Sequence, residues 1–220
     1  MIMPMPNNSF SEYNVICEDV EGYYEEKKSK FLCYLHFAQS EEEASEFVSK
    51  IKKKHYDARH NCTAMIIGPQ KELQRSSDDG EPSGTAGKPM LEVLLGADIT
   101  NVVCVVTRYF GGVLLGTGGL VKAYQCAVKD ALENARNDKK IVTITFCTDI
   151  MVSIDYSQVN TLEYYIGNND IKVVNKEYQQ NVTYTLRAKA DMEESIIDSL
   201  TNQTNGTASI EKLGTGYYPL

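Results

Sequence analysis

The chain has 220 residues, of which 42% are hydrophobic and 24% charged, a composition typical of a folded globular protein. Its length suits one large domain or two small ones. The formal net charge is −8, with 17 basic and 20 acidic residues up to residue 141 and 5 and 10 beyond it. An acidic chain is not drawn to phosphate backbones by its overall field, so any contact with nucleic acid has to be local.

The sequence indicates a cytoplasmic protein. Residues 1–6 contain neither the basic segment nor the apolar core of a secretory signal. No stretch approaches the roughly 18 apolar residues of a membrane span. The six cysteines include no Cys-x-x-Cys pair, which argues against a zinc site or a redox motif and favours small buried hydrophobic side chains. We predict no cofactor and no membrane partner, and favour a monomer.

The first elements are two strands and a helix. Residues 1–12 are rich in Pro, Asn and Ser and are predicted to be poorly ordered. Alternation and aromatic content predict strands at Tyr13–Cys17 and Phe31–Phe37. Ser40 then caps a helix, and Glu43 completes a capping box. The apolar residues of this helix recur at helical spacing and predict one buried face: Ala44, Phe47, Val48 and Ile51.

The middle of the chain predicts a strand at Thr63–Ile67 and then a long polar loop at residues 75–89. A short apolar helix at Met90–Leu95 follows. Asn101–Val106 is a β-branched run suited to a strand that is covered on both faces. A glycine-rich turn at residues 111–119 leads into a long helix.

This long helix begins near Thr117 and keeps helical spacing for four turns. Its predicted buried positions are Leu120, Ala123, Tyr124, Ala127, Val128, Ala131, Leu132 and Ala135. The pattern breaks at residues 137–140. We therefore predict a first domain over residues 1–141, with its core at about 20–137, and a second over residues 142–220.

The second domain has the order strand, helix, strand, strand, helix, strand. The predicted elements are a strand at 141–156, a helix capped by Ser157, strands at 171–178 and 182–190, a helix from Asp191, and a strand at 208–213. This order predicts an α+β, ferredoxin-like fold.

Three segments of the first domain carry a family resemblance. They are Arg59–Ala64, the run Asp78–Pro89 (DDGEPSGTAGKP), and Val106–Tyr124, which contains TRYFGG and LGTGGLVKAY. Together they resemble the IMPACT/YigZ family, whose bacterial members carry an Impact N-terminal domain and a C-terminal ferredoxin-like domain.

The resemblance implies an α+β protein whose first domain is similar to the second domain of ribosomal protein S-five and to domain IV of elongation factor G. It implies a second domain similar to domain V of that factor. Eukaryotic IMPACT regulates translation, competing with a stress kinase for a shared activator through an RWD domain. The sequence before residue 20 has no room for that domain, so we do not carry this partnership over. Fold analogy alone favours a ribosome-facing role.

The glycine-rich turn is a candidate anion site. A strand, a glycine turn and a helix N-terminus together expose backbone N–H groups, and the helix dipole favours negative charge. Arg108 and Lys122 would assist in holding a phosphate or a nucleic-acid backbone. The alternative is that the glycines serve only a tight turn and close packing.

Asp78, Asp79 and Glu81 place three carboxylates within four residues. Such a cluster can hold a hard cation or act as acid and base, with His60 as a possible partner. An acidic turn is the simpler interpretation, and no metal is predicted. Cys62 and His60 could form a cysteine nucleophile with an adjacent base. We favour the alternative, in which Cys62 packs in the core.

These arguments give three functional hypotheses. The first, which we favour, is a non-enzymatic regulator of translation that binds the ribosome, RNA or a translation factor. The second is an enzyme or sensor for a phosphorylated or nucleotide ligand, and the third a protein adaptor that docks through the second domain. No catalytic residue is assigned. The candidate binding surface comprises His60, Asp78, Asp79, Glu81, Thr85, Arg108, Tyr109, Gly111, Gly112, Gly116, Gly118, Gly119 and Lys122.

Overall fold

A computed structural model describes residues 12–220. The prediction of disorder for the N-terminal segment therefore lies outside the described residues, apart from Glu12. Residues 13–143 form one compact unit, and residues 144–220 belong to a second. The predicted domain boundary after residue 141 falls inside the strand that runs through this division. None of the helices described between residues 12 and 220 has the length and apolar character needed to cross a bilayer.

The N-terminal unit contains a five-stranded antiparallel sheet in the order β2-β3-β6-β4-β5. Its elements are β1 (Glu12–Ile16), β2 (Val20–Glu26), β3 (Ser29–Phe37), α1 (Glu41–Lys54), β4 (His60–Ile67), β5 (Leu73–Ser77), α2 (Gly87–Gly96), β6 (Val102–Tyr109) and α3 (Gly116–Asn137).

The central strand β6 is covered on both faces, as its apolar run predicts. Val102, Cys104 and Val106 pack with α2 and α3 in the larger core of the unit. Val103 and Val105 point the opposite way and pack against α1. The sheet therefore lies between α1 on one side and α2 with α3 on the other.

Helix α3 follows its sequence pattern closely, since all eight predicted apolar positions are buried. Strand β2, which the sequence analysis missed, packs against this helix at Gly22. A Cβ built on Gly22 would lie 2.4 Å from the backbone nitrogen of Ala131. Because β2 buries little more than Val20 and a glycine, its sequence shows no apolar alternation.

Helix α1 has Ser40 as its N-cap, as predicted, but its capping box is incomplete. The Ser40 side chain accepts a hydrogen bond from the backbone N–H of Glu43 (3.2 Å). The Glu43 carboxylate accepts from the N–H of Gln39 (2.8 Å), one residue before the position that a capping box requires. The buried face of α1 is confirmed at Ala44, Phe47 and Ile51.

The predicted loop at residues 75–89 is wrong at both ends. Residues 75–77 belong to β5, and α2 already begins at Gly87. The true connection has only residues 78–86. β5 is a polar edge strand, and α2 begins with Gly and Lys, so neither boundary carries an apolar signal.

The C-terminal unit has the predicted βαββαβ order. Its elements are β7 (Ile141–Ile154), α4 (Val159–Gly167), β8 (Lys172–Tyr178), β9 (Val182–Lys189), α5 (Glu193–Gln203) and β10 (Ser209–Pro219). The strands lie in the order β10-β7-β9-β8, which is the ferredoxin-like arrangement. Ile150, Leu162 and Ile196 belong to its core.

Three boundaries differ clearly in the C-terminal unit. The predicted cap Ser157 lies within a 3-10 turn, and α4 begins without a side-chain cap. Asp191, the predicted start of the second helix, lies in a 3-10 turn before α5, which begins at Glu193. Strand β10 continues to Pro219 instead of ending at residue 213. Its second half could not be recognised in the sequence because it is polar and aromatic and lacks strict alternation.

The packing of β2 on α3 predicts a steric defect. Gly22→Ala should lower the free energy of unfolding by about 1–3 kcal/mol because the added methyl group overlaps the α3 backbone. Urea denaturation measures the change. Gly96→Ala is the control: its Cβ meets no atom within 4 Å, and alanine favours the helix by about 0.5–1 kcal/mol. Equal stability of both variants would contradict this packing.

Candidate functional site

A cavity of about 520 Å³ lies in the N-terminal unit between the loop 78–86, the end of β6 and the start of α3. His60 at the start of β4 is directly paired with Arg108 at the end of β6, and both line the cavity. The remaining lining residues come from three short segments: Arg59, Gly80, Glu81, Pro82, Phe110, Leu114, Leu115, Gly116, Thr117 and Leu120.

Arg108 is the central charged group of this cavity and is only 7% exposed. Its Nη1 donates to Oε1 of Glu81 at 2.7 Å, and the Tyr124 hydroxyl donates to the same oxygen at 2.8 Å. The guanidinium carbon lies 5.6 Å from the ring centre of Phe31 and 5.7 Å from that of Phe110. The arginine is therefore held by one ion pair and by contacts with two aromatic rings.

One nitrogen of this guanidinium is not satisfied. Nε of Arg108 is buried and has no hydrogen-bond partner among the described residues. Buried polar atoms are almost always paired, so an orphan of this kind requires an explanation. Its position beside a cavity suggests that the partner is a ligand.

The first turn of α3 borders the same cavity. Its N-cap is Leu115, and no side chain caps the first N–H groups. Gly116 has a φ of +72°, which brings the backbone into the helix at an angle that other residues rarely adopt. A Cβ at Gly118 would meet nothing within 4 Å, so this helix end is open.

Gly111 serves packing instead. Its N–H donates to Oγ of Ser29 at 3.1 Å, and an added Cβ would lie 2.1 Å from the carbonyl carbon of Lys28. Gly112 has a φ of +88° and open space around it. The packing role therefore applies to Gly111, whereas the backbone at the start of α3 is open and the anion site stays a prediction.

The carboxylate of Asp78 stabilises its own loop. It accepts hydrogen bonds from the N–H groups of Gly84 (2.8 Å), Ala86 (3.0 Å) and Gly87 (2.9 Å). Burial opposes the charge, but these bonds hold the pKa of Asp78 below its ordinary value. Asp78 thus ties the loop to the start of α2 and does not line the cavity.

Asp79 also has a structural position. It accepts from Nζ of Lys52 and from the backbone N–H of Asn61, both at 2.7 Å. Its carbonyl oxygen accepts from Nδ1 of His60 at 2.9 Å. The three carboxylates therefore point to different partners, and residues 12–220 contain no group of three metal-ligating side chains.

Cys62 is a core residue. Its thiol donates to the carbonyl oxygen of Asp78 (3.0 Å) and lies 3.3 Å from the Tyr124 hydroxyl. Burial raises the pKa of Cys62 to about 12, despite the opposing hydrogen bond to Tyr124. A thiol of this kind is a poor nucleophile at neutral pH.

The other candidates lie elsewhere. Tyr109 points to the opposite face of the sheet, where its hydroxyl donates to Asp57 (2.9 Å) and lies 3.0 Å from Nδ1 of His55. Thr85 is buried and donates to the carbonyl oxygen of Pro82 (2.7 Å). Lys122 is exposed on α3 and does not line the cavity.

The structure therefore brings His60, Glu81, Arg108 and Gly116 together. Sequence reasoning missed Arg59, Phe110, Leu114 and Thr117. Phe110 and Leu114 had a usable signal, because large apolar residues in a glycine-rich turn have no evident place in a core.

Comparisons with known proteins cover both units. The Impact N-terminal domain family matches residues 27–132, and the family described as Domain of unknown function (DUF1949) matches residues 152–207. The IMPACT family member YvyE of Bacillus subtilis is 37% identical over 84% of this chain and 84% of its own length. The chain belongs to the IMPACT family. A further IMPACT family member, from Haemophilus influenzae, is 38% identical over 94% of this chain and 99% of its own.

The fold is shared as well. A crystal structure of a hypothetical protein superposes with a TM-score of 0.60 at 34% identity, covering 94% of this chain and 99% of its own. This confirms the α+β class and the two-domain architecture of this IMPACT-family chain. The family also has eukaryotic members: Protein IMPACT of Danio rerio is 33% identical over 46% of this chain and 33% of its own length.

The buried ion pair predicts strong coupling between Glu81 and Arg108. Arg108→Met should cost about 3–5 kcal/mol of unfolding free energy because it leaves the Glu81 carboxylate buried and unpaired. Adding Glu81→Gln removes that charge and retains an acceptor for Tyr124, so the double variant should be more stable than Arg108→Met alone. Urea denaturation of all four members of the cycle measures the coupling, and additive effects would contradict it.

Proposed function

We propose that this IMPACT-family protein regulates translation in the cytoplasm by binding RNA in the cavity of its N-terminal unit. One observation carries the proposal: a buried arginine with an unpaired donor lies beside the uncapped N-terminus of α3. Both groups attract anions, and the phosphate group is the anion that RNA supplies.

The local charge supports this proposal although the chain is acidic. The lining residues include two arginines, Arg59 and Arg108, and one carboxylate, Glu81. The helix dipole adds roughly half an elementary positive charge at the start of α3. The cavity therefore has a positive local potential on a protein of net charge −8. It binds phosphate there, whereas the rest of the surface does not attract nucleic acid.

The apolar rim supports RNA over a simple inorganic anion. Phe110 is 49% exposed and Leu114 is 82% exposed, and both line the cavity. Unpaired bases stack on exposed aromatic rings in proteins that bind single-stranded nucleic acid. An unstacked base beside a bound phosphate would cover this rim.

A binding role fits better than catalysis. The Asp78 carboxylate is occupied by N–H groups of its own loop and of α2, and the Asp79 carboxylate by Lys52 and the N–H of Asn61. The Cys62 thiol is held protonated by burial. Glu81 is neutralised by Arg108. No nucleophile with an adjacent base occurs among the lining residues.

The RNA proposal predicts a salt-dependent association. Arg59→Ala should weaken binding to single-stranded RNA and to ribosomes by roughly 3- to 30-fold, because it removes an exposed cation from the cavity rim. Co-sedimentation at 50 and 200 mM salt and fluorescence anisotropy measure the loss.

Lys53→Ala provides the matched control, since Lys53 is an exposed cation of α1 outside the cavity. Equal losses in the two variants would place the RNA elsewhere. Failure of the unaltered protein to bind RNA at low salt would refute the proposal.

A second candidate function is binding of a small phosphorylated or nucleotide ligand. The cavity volume favours it, because about 300–1,000 Å³ is usual for small-molecule sites. A nucleotide at 100 times its dissociation constant should stabilise the protein by about 2.7 kcal/mol, seen as a rise in melting temperature in a thermal-shift screen. A flat screen at millimolar nucleotide would eliminate this candidate.

A further inference from the structure

The unsatisfied edge of Arg108 has a definite shape. Nη1 is taken by Glu81, whereas neither Nε nor Nη2 donates to any described residue. Nε and Nη2 form one side of the guanidinium and present two parallel N–H groups. Such an edge binds two oxygens of one anion at once.

The same chain shows this edge in use. In the C-terminal unit, Arg187 donates from Nε and from Nη2 to the two oxygens of Asp149, each at 2.7 Å. Arg187 therefore has an internal partner for the edge that Arg108 leaves open. Within residues 12–220, buried side-chain atoms without a partner are Nε of Arg108 and Oε1 of Gln158.

The depth of Arg108 restricts which phosphate can reach it. Its side chain is only 8% exposed, and the ring centres of Phe31 and Phe110 lie 5.6 and 5.7 Å from its guanidinium carbon. A phosphodiester inside an RNA chain carries a nucleoside on each side, so the strand would have to enter and leave the cavity. A terminal phosphate carries one substituent, presents three free oxygens and has a charge near −2 at neutral pH.

We propose that the cavity takes the phosphorylated end of a nucleotide chain, with the terminal phosphate monoester on the open edge of Arg108 and the first N–H groups of α3. The terminal base then packs against Phe110 and Leu114 at the rim. This inference rests on the proposed function, since it assigns the cavity to RNA and names the part of the RNA that enters.

One side-chain movement accompanies binding. Nε of Arg108 is shielded from solvent, so the phosphate has to displace a neighbouring group to reach it. Phe110 is suited to this movement because its ring is half exposed and two glycines follow it. Its ring leaves the guanidinium and stacks on the incoming base.

The test compares labelled RNA decamers of one sequence that carry a 5′ phosphate, a 3′ phosphate or hydroxyl groups at both ends. One phosphorylated decamer should bind about tenfold or more tightly than the hydroxyl form, the gain expected for charge-assisted hydrogen bonds. Adenosine monophosphate should compete with it, whereas adenosine should not. The strength of this competition shows whether a free nucleotide binds as well as the phosphorylated end of an RNA.

Equal affinity for the three decamers would overturn the inference while leaving RNA binding intact. Absence of binding to all three would refute the proposed function itself. The two failures are therefore distinguishable in one experiment.

Thr117 provides a matched pair of variants. It lines the cavity in the first turn of α3, where a carboxylate favours the helix. Thr117→Asp should remove the preference for the phosphorylated end because its charge occupies the anion site. Thr117→Asn has nearly the same shape without the charge and should retain the preference. Melting temperatures establish that both variants are folded. If both variants retain the preference, the inference is also overturned.

Discussion

The cavity depends on the buried contact between Arg108 and Glu81. Taking two charges out of water is costly, and the cost is offset only where hydrogen bonds satisfy both partners. Here Glu81 receives a second hydrogen bond from Tyr124 on α3, whereas Arg108 is left with an open edge. The contact joins β6, the loop 78–86 and α3, which are the three elements that form the cavity walls.

This asymmetry is the reason why we propose an anion as the ligand of the site. If the pair were fully satisfied internally, as Arg187 and Asp149 are in the C-terminal unit, it would be a structural feature alone. Arg187 also stacks at 3.3 Å on the ring of Tyr218, which covers its guanidinium further. The two arginines have the same chemistry, but only Arg187 has an internal partner for the edge formed by Nε and Nη2.

Much of the fold could be predicted because its signal is periodic. The eight buried positions of α3 and the two-sided burial of β6 follow from residue spacing and hydrophobicity alone. Strand β2 and the ends of the loop 75–89 could not be predicted in this way. β2 packs through a glycine, and β5 is a polar edge, so the contacts that define them lie in distant parts of the sequence.

Part of the candidate site could also be predicted from the sequence. His60, Glu81 and Arg108 were identified as polar groups in unusual segments, and the structure gathers them around one cavity. The sequence could not show that Asp78 and Asp79 point away from it, because backbone N–H groups satisfy their carboxylates. The position of Tyr109 could have been predicted, because strand alternation places it on the face opposite Arg108.

The three hydrogen bonds of Asp78 have a consequence for the evolution of this protein. They fix the number of residues between β5 and α2, because Gly84, Ala86 and Gly87 have to return to one carboxylate. An insertion or deletion there would break the ring of bonds and shift Glu81 relative to Arg108. The segment contains neither helix nor strand, yet we expect its length to be as constrained as that of a core strand.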